Sequence, residues 1–348
     1  MTTETENILL NPLPVRTWNS LKMNEASYQG EIPTAFCTPE IKKLPDSLKL
    51  IQNETLDNVK SAAGDKLGEL LQGDSLLIES DSEATPAILS YDFTGGKSAR
   101  LFLHAKENAV LPVSVIMTGE GTAVLEIKIS AEAGSTVDLT VIQTVGSDCD
   151  VITDIGCTCD KNANFNLTKL ELGGAHEYVA VSADLSGEHS SFTANAGYRV
   201  KTNQSLDMNY VVRHTGRKTE SNIFASGILE NDSTKTFRGT IDLIKGCAGA
   251  KGTENEDILL LGDNQVNQTI PLILCDEEDV EGNHGASIGR LDDNIIFYLG
   301  SRGISAEAAE DIIAHAKLDA IISHIPDEEA RTLAHSLITP EADGGEDA

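Results

Sequence analysis

A regular alternation of apolar and polar residues through the middle of the chain limits the folds that this sequence can adopt. It is clearest in residues 123–130, where alanine, leucine or isoleucine occupies every second position, and it recurs in residues 137–141, 165–172 and 206–211. Since successive side chains of a strand point to opposite faces, each run predicts a strand with one buried face. No helical segment long enough to form a βαβ unit interrupts these runs. Residues 75 to about 274 are therefore predicted to be all β, as a sandwich, a barrel or a β-solenoid, and the lack of strict self-similarity leaves that choice open.

Both ends of the chain carry helical patterns. Residues 48–71 mix apolar residues at helical spacing with Asp and Lys, which predicts one or two amphipathic helices in an otherwise irregular lead-in. Near the other end, Ser305 is placed to cap a helix, and Pro326-Asp327 separates that helix from a second apolar stripe. We therefore divide the chain into a helical and irregular region (1–74), a β core (75–298), a helical subdomain (299–339) and an acidic tail (340–348) predicted to be disordered.

The charge of the chain excludes several classes of partner. It has 348 residues with a formal net charge of −29, and nucleic-acid binding requires a basic surface instead. The same charge disfavours binding to an anionic membrane, and no apolar stretch is long enough to span one. Solubility is the simplest explanation of this acidity, with a basic protein partner or cations as alternatives. The polar start of the chain does not resemble a secretory signal, so we expect a cytoplasmic protein whose six cysteines are reduced.

Four residues are candidates for metal binding. His284 lies in a glycine-rich stretch that reads as a turn, and a neutral imidazole there could coordinate a transition metal, although a surface histidine without a ligand is the alternative. Cys157 and Cys159 would face the same way on a strand, either to bind one metal or as two small buried residues. Cys275 precedes His284 by nine residues. The pattern alone leaves these alternatives open.

Motifs for nucleotide binding and for hydrolysis are absent from the sequence. It contains no G-x-x-x-x-G-K-[ST], no G-x-S-x-G and no H-E-x-x-H. This chain is therefore predicted to bind no nucleotide through a P-loop. His214, followed by Thr215 and Gly216, is predicted to be a buried structural histidine with hydrogen-bond partners.

Several motifs in the second half of the chain occur together in one known family. In chain order they are His214-x-Gly216, Ser221, Phe237-x-Gly239-x-Ile241, Leu259-Leu260-Leu261, Pro271, Asp279-Val280, His284-Gly285-Ala286, Phe297-Tyr298-Leu299 and Ser301-Arg302-Gly303-Ile304. Their order and spacing resemble the SufB/SufD family of iron–sulfur cluster assembly proteins. The His-Gly-Ala sequence without an adjacent cysteine is more similar to the SufD side of that family.

The resemblance implies a fold and a set of partners. The fold would be a right-handed parallel β-helix with a helical segment at each end. The chain would be a non-enzymatic subunit that pairs with a SufB-like scaffold, and its terminal helices would dock a SufC-like ATPase. The residues expected at partner surfaces are Arg302, Ile312, Ile313, Ile321, Leu333 and Leu337. A homodimer is a further expectation when the partner is absent.

The resemblance also implies a role for His284. The matching histidine in SufD-like members is taken as a ligand of a transient iron–sulfur cluster at the interface with SufB, and Cys157, Cys159 and Cys275 are further candidates here. One alternative is a purely structural half of the pair without cluster ligands. The other is a β-helix enzyme acting on polysaccharide, which the aromatic content of only 4% disfavours.

The sequence departs from the family pattern at three places. Gly282 stands where many SufD-like chains have a cysteine, two residues before the histidine. Leu274 replaces the glutamate of the frequent Pro-x-Leu-Glu motif, and Glu254-Asn255-Glu256 stands where a glutamine usually precedes the Leu-Leu-Leu run. These departures concern the candidate site and leave the implied fold unchanged.

Overall fold

The structure is a computed structural model that describes residues 7–338, and nearly half of these residues belong to two nine-stranded sheets. The strands are β1 (Ile8–Leu10), β2 (Ala26–Tyr28), β3 (Glu40–Lys43), β4 (Leu48–Gln52), β5 (Leu76–Ser80), β6 (Ala87–Asp92), β7 (Lys97–Ala105), β8 (Val110–Thr118), β9 (Ala123–Ala131), β10 (Thr136–Gln143), β11 (Asp150–Cys159), β12 (Asn164–Glu171), β13 (His176–Leu185), β14 (Ser191–Val200), β15 (Ser205–His214), β16 (Glu220–Leu229), β17 (Thr234–Leu243), β18 (Lys251–Leu260), β19 (Val266–Cys275) and β20 (Glu281–Gly289). The helices are α1 (Asp65–Leu70), α2 (Asp293–Gly300), α3 (Ala306–Ile322) and α4 (Glu328–Ile338).

From β5 onward, successive strands alternate between the two sheets, so that each pair of strands completes one turn of a solenoid. One sheet has the order β20-β18-β16-β14-β12-β10-β8-β6-β3, and the other has the order β19-β17-β15-β13-β11-β9-β7-β5-β4. From β5 onward, all neighbouring strands within a sheet are parallel; Ser205 in β15, for example, pairs with Thr234 in β17, one turn later. The prediction of a mainly β, parallel β-helix fold is confirmed.

Tight corners between the strands explain why Asn and Asp separate the alternating runs. Asn162, Asn203 and Asp232 occupy corners with φ angles of 57°, 65° and 54°. This left-handed conformation is unfavourable for most residues, but Asn and Asp tolerate it because their short polar side chains can bond locally. The corners therefore turn the chain without requiring glycine at every position.

The space between the sheets is filled by stacked aliphatic side chains. Leu139, Leu167, Ala194 and Ile223 follow one another in register across four strands, and each is about 1% exposed or less. Burying one leucine in such a stack contributes about 1.5–3 kcal/mol. Since each inward position meets its equivalent one turn away, medium-sized aliphatic residues fill the core, which is consistent with the low aromatic content.

The helical prediction for residues 48–71 is wrong in its first half. Leu48–Gln52 is a strand, β4, that pairs antiparallel with β5, and the helical part is only the six-residue α1. The pairing places Leu48 and Leu50 against the core, so tertiary burial outweighs a weak helical pattern. Strand β3 pairs antiparallel with β6 in the other sheet. Each sheet is thus covered by an antiparallel strand at its N-terminal edge, which we call the antiparallel cap (β3 and β4).

A buried carboxylate fastens the N-terminal segment to the outside of the solenoid. Asp154 in β11 is 1% exposed and accepts hydrogen bonds from Ser61 Oγ at 2.5 Å and from the backbone N–H of Ala62 at 2.6 Å and Ala63 at 3.1 Å. Burial raises the pKa of Asp154 to about 6, although these donors favour its charged form. The interaction holds the loop before α1 against the β11 face.

The C-terminal helices begin earlier than predicted and pack on one sheet. The last strand ends at Gly289 and α2 begins at Asp293, so the predicted core boundary at residue 298 is too late. Asp292 ends the extended segment because its side chain caps α2 by accepting the N–H of Asn294. The predicted cap at Ser305 is confirmed, since its hydroxyl accepts the N–H of Ala308. The predicted disordered tail, residues 340–348, lies outside the described residues.

The prediction that His214 is buried and hydrogen-bonded is confirmed. It is fully buried, with Nδ1 at 2.7 Å from Thr219 Oγ1 and Nε2 at 2.9 Å from Ser221 Oγ. Burial lowers its pKa from about 6.5 to about 4. The folded protein therefore holds this imidazole in its neutral form at neutral pH.

Replacing His214 with glutamine should reduce the dependence of stability on pH. Because the pKa of His214 is lower in the folded chain, between pH 6.5 and 4 the unfolded chain binds a proton at this residue and the folded chain does not. The free energy of unfolding of the wild type therefore falls by about 3 kcal/mol as the pH decreases from about 6.5 to 4. Urea unfolding at pH 7 and pH 4.5 should show the difference in stability between wild type and His214→Gln shrinking at the lower pH. A difference that is the same at both pH values would contradict this role.

Candidate functional site

The two ends of the solenoid differ in how they are covered. The antiparallel cap covers the N-terminal end, whereas β19 and β20 are the outermost strands at the other end, and within the described residues each pairs with a strand on one side only. Nearly all of β20 is exposed, including Ile288 at 49%, and Val266 in β19 is 46% exposed. We call this surface, made by Val266–Cys275 and Glu281–Gly289, the terminal turn. A strand edge of this kind is a template for pairing with another chain.

His284 lies in the middle of β20, on the terminal turn. It is exposed and sits in register beside Glu254 of β18. The interpretation of its surroundings as a turn is therefore wrong. The neighbouring glycines serve close packing instead: a Cβ at Gly282 would lie 3.0 Å from a methyl carbon of Ile273, and one at Gly285 would lie 2.9 Å from Asn255 Oδ1.

Glu254 is the nearest acidic neighbour of His284 across the strand pair. In parallel strands, residues in register project to the same side, so both side chains face the interior of the solenoid at its end. Glu254 is 2% exposed, and its Oε1 has no hydrogen-bond partner among residues 7–338. Burial raises the pKa of Glu254 to about 7, and the charge of Glu256 adds to this while Lys235 opposes it.

A group of polar side chains lies at the base of the terminal turn, and we call it the terminal polar cluster (Tyr198, Lys235, Glu254, Glu256 and Thr269). All are buried except Thr269 of β19, which is half-buried. Lys235 Nζ is 2.5 Å from Glu256 Oε1, and the Tyr198 hydroxyl donates to the same oxygen at 2.9 Å. Thr269 donates to Glu256 Oε2 at 2.6 Å. The side chains of Lys235 and Glu256 are both fully buried. Sequence reasoning missed this cluster, although a lysine at an inward position of a strand was the signal that could have found it.

The structure does not bring Cys157 and Cys159 close to His284. Both thiols face the core from β11, their sulfur atoms are 3.6 Å apart, and burial raises the pKa of Cys157 well above its usual value. Three strands lie between β11 and β19, which corresponds to roughly 19 Å at the usual strand spacing. Cys275 does lie on the terminal turn, where it is exposed and its thiol donates to the Glu277 carbonyl at 3.1 Å.

The described residues do not form a complete metal site at the terminal turn. Within residues 7–338 no group of three or more His, Cys, Asp and Glu side chains is arranged to hold a metal ion. The imidazole of His284 and the carboxylate of Glu254 are nitrogen and oxygen donors that suit first-row transition metals. These two side chains are the candidate metal-binding groups at this end of the solenoid.

Comparison with known proteins identifies the family. The family model described as "SUF system FeS cluster assembly, SufBD core domain" matches residues 91–317, which is more than half of the chain. The chain belongs to the SufB/SufD family. The matched region extends from β6 into α3, so it contains nearly all of the parallel solenoid and the terminal turn.

Individual relatives agree with this assignment over part of their length. The chain is 30% identical to the iron–sulfur cluster assembly protein SufD of Bacillus subtilis over 125 residues, which are 36% of this chain and 29% of the relative. It is 28% identical to SufD of Escherichia coli over 174 residues, or 50% and 41% of the two chains. A SufBD family protein of Synechocystis is 26% identical over 181 residues, or 52% and 38%. The matches thus span less than half the length of each relative.

This SufB/SufD family member carries a second exposed apolar surface, on its C-terminal helices. Phe297 in α2 is 78% exposed and Tyr298 is 55% exposed, with the guanidinium of Arg302 stacked 4.8 Å from the Tyr298 ring. Ile295 in the same helix is 46% exposed. We call the surface formed by Phe297, Tyr298 and Arg302 the α2 patch. Solvent exposure of a large aromatic group next to other apolar side chains is typical of a protein-binding surface.

The residues predicted to contact partners differ in their exposure. Ile312 and Leu337 are 53% and 41% exposed, while Ile313 and Leu333 are half-buried. The prediction for Ile321 is wrong, because this residue is fully buried in a cluster with Ile142 and Leu170 of the solenoid. Helical periodicity identified an apolar stripe correctly but could not show which part of it packs within the chain. In the part of the chain that the structure describes, no helix is long and apolar enough to cross a membrane.

Proposed function

We propose that this chain is a SufD-like, non-catalytic subunit of a cytoplasmic iron–sulfur cluster assembly complex, which pairs through its terminal turn with a SufB-like scaffold subunit. The observation that carries the proposal is the position of His284 on the outermost strand of the uncovered solenoid end. Membership of the SufB/SufD family and the relatives named SufD support it. The nascent cluster is the cargo of such a complex and not a resident cofactor of this chain.

In this proposal, His284 supplies one ligand and the partner supplies the others. A neutral imidazole can share iron with thiolates, and the exposed position of His284 leaves it accessible until the partner covers it. Glu254 lies one strand inward in register with His284, and its Oε1 has no hydrogen-bond partner among residues 7–338. The chain itself needs only to hold His284 at the strand edge, and the pairing of β20 with β18 supports this role.

The α2 patch is the proposed docking surface for a SufC-like ATPase. Its aromatic side chains provide a compact apolar anchor of the kind that dominates protein interfaces, and the surrounding helices carry acidic residues that suit a basic partner. Nucleotide binding and hydrolysis would then belong to that partner, which accords with the lack of a P-loop motif in this sequence.

One variant of the terminal turn and one variant of the α2 patch test the two proposed surfaces. Each variant is the control for the other. Co-expression with the SufB-like and SufC-like proteins should give a three-part complex. Combined Val266→Lys and Ile288→Lys places charges on the terminal turn and should reduce recovery of the SufB-like subunit about tenfold or more, because unpaired charges at an interface are costly. Phe297→Ser should reduce recovery of the SufC-like ATPase to a similar extent and leave the SufB-like subunit bound.

The proposal fails if the wild-type chain binds neither the SufB-like nor the SufC-like protein in this experiment. The assignment of surfaces fails if either variant loses the wrong partner or loses neither. Leu21→Lys, at a 58% exposed position in the N-terminal region, is a further control for adding a lysine at an exposed apolar site and should leave both partners bound.

A second candidate is a purely structural half of the pair that contributes no ligand. It is favoured by the lack, within residues 7–338, of a group of three or more side chains that could hold a metal. Both candidates require the same complex, and they differ only in the effect of removing the His284 side chain.

A further inference from the structure

A cavity of about 470 Å³ lies at the opposite end of the molecule, beside the antiparallel cap. Its apolar wall includes Phe36, Leu50 and Leu76, and the last two are half-buried leucines at the edge of the solenoid core. The volume falls within the roughly 300–1,000 Å³ range of small-molecule sites. The proposed complex with the SufB-like and SufC-like proteins gives this cavity no role, because it lies at the other end of the solenoid from the terminal turn.

One buried donor lining the cavity lacks a partner. Tyr91 in β6 is 1% exposed, and its hydroxyl has no hydrogen-bond partner among the described residues. Burial raises the pKa of Tyr91, and the charge of Cys37, which also lines the cavity, adds to this. Leaving a buried donor unsatisfied costs about 1–3 kcal/mol. A ligand oxygen that accepted this hydrogen bond would recover that cost.

A guanidinium lies at the edge of the same cavity. Arg100 lines it and donates from Nη1 to the carbonyl of Gly73 at 3.2 Å, just before the lining residue Asp74. Arg100 Nε also donates to the Glu126 carboxylate at 2.7 Å, and Lys128 lies 3.5 Å from the same carboxylate. Two positive side chains thus surround one negative side chain, which leaves one net positive charge. Asp74 is exposed, so its opposing charge is screened by solvent.

We propose that this cavity is a binding site for a small molecule with an apolar body and a carboxylate group. The apolar body packs against Phe36, Leu50 and Leu76. The carboxylate accepts the hydrogen bond of Tyr91 and lies in the positive field of Arg100. The site is independent of the proposed role in cluster assembly, and its ligand would reach it from the solvent around the cap.

Benzoate and toluene, which have nearly the same shape but differ in the carboxylate, provide the test. Cys37 serves as the reporter in the full-length chain: its rate of alkylation by iodoacetamide is followed by peptide mass spectrometry, with the exposed Cys275 as the internal control. Benzoate should slow alkylation of Cys37 and leave Cys275 unaffected. Leu50→Trp, which fills the cavity, should abolish this protection.

Tyr91→Phe tests the hydrogen bond itself. It should raise the apparent dissociation constant of benzoate about tenfold and leave that of toluene unchanged. Tyr178→Phe is the matched control, because Tyr178 packs against Tyr28 outside the cavity. Failure of benzoate to protect Cys37 overturns the proposal, and so does equal protection in wild type and Tyr91→Phe. Urea unfolding of each variant confirms that it is folded.

Discussion

Replacing His284 with alanine is expected to reduce the cluster content of the co-expressed complex at least about tenfold while the subunits stay assembled. In the proposed complex, His284 is one of the ligands through which the two subunits hold the cluster. Its loss should lower the affinity for the cluster, because the exposed strand edge has no other side chain in that position. The side chain is exposed, so its truncation should change the free energy of unfolding by no more than about 0.5 kcal/mol. The measurement is the iron and sulfide content of the complex after anaerobic reconstitution, with its visible absorbance as a second readout.

Two further variants make the His284 experiment specific. His176→Ala is the matched control, because His176 is also an exposed histidine at a strand, but on β13, three strands away within the other sheet. It should leave the cluster content unchanged. His284→Cys should restore part of it, since a thiolate is also an iron ligand. Normal cluster content in His284→Ala would show that the chain is only a structural half of the pair.

The sequence predicted the class of fold because the physical signal is repeated many times. Each alternating run, such as residues 165–172, indicates a strand with one buried face. Because there are many such runs, a wrong prediction for one of them does not change the predicted fold class. The choice of a parallel solenoid came from the resemblance carried by residues 214–304. Alternation alone could not provide it, because the same inward pattern fits a sandwich or a barrel.

The wrong predictions concern places where distant residues decide the local structure. Leu48–Gln52 became a strand because β5 offered an edge to pair with, and Ile321 became buried because Gly197 and Leu170 form a surface that accepts it. His284 was predicted to lie in a turn because its neighbours include several glycines, which are common in turns. Here the glycines make room for Ile273 and Asn255. None of these partners is close in sequence, so a local pattern could not reveal them.

The asymmetry of the two ends connects the fold to the proposed function. The antiparallel cap gives the N-terminal end of each sheet a final strand of the opposite direction, whereas β19 and β20 leave the other end open for a partner. An open end exposes its last layer of core to water, and apolar residues there would favour aggregation. The terminal polar cluster lies directly beneath that layer, where it replaces apolar core residues. It is therefore expected to matter for stability as well as for the environment of His284.

Replacing Lys235 with methionine is expected to lower the free energy of unfolding by about 3–5 kcal/mol. The change removes the cation from a fully buried pair and leaves the Glu256 carboxylate without its charge partner, which costs far more than the pair itself contributes. Urea unfolding followed by circular dichroism measures the loss. The matched control is Lys251→Met, since Lys251 and Glu281 form a 2.8 Å pair on the same end of the solenoid, with both side chains more than half exposed. Because water screens that exposed pair, Lys251→Met should leave the free energy of unfolding nearly unchanged.

A double variant separates the unpaired charge from simple loss of packing. Lys235→Met combined with Glu256→Gln removes both charges. The amide oxygen can still accept the hydrogen bond that Tyr198 donates, and the amide NH2 can donate to the Thr269 hydroxyl, which donates to the second carboxylate oxygen in the wild type. It should recover most of the stability lost in Lys235→Met, because the cost arises from an uncompensated buried charge rather than from the missing ammonium. If the double variant is as unstable as the single one, the lysine acts mainly through packing. If Lys235→Met costs no more than Lys251→Met, the cluster does not stabilise the open end, and its burial beneath His284 would need another explanation.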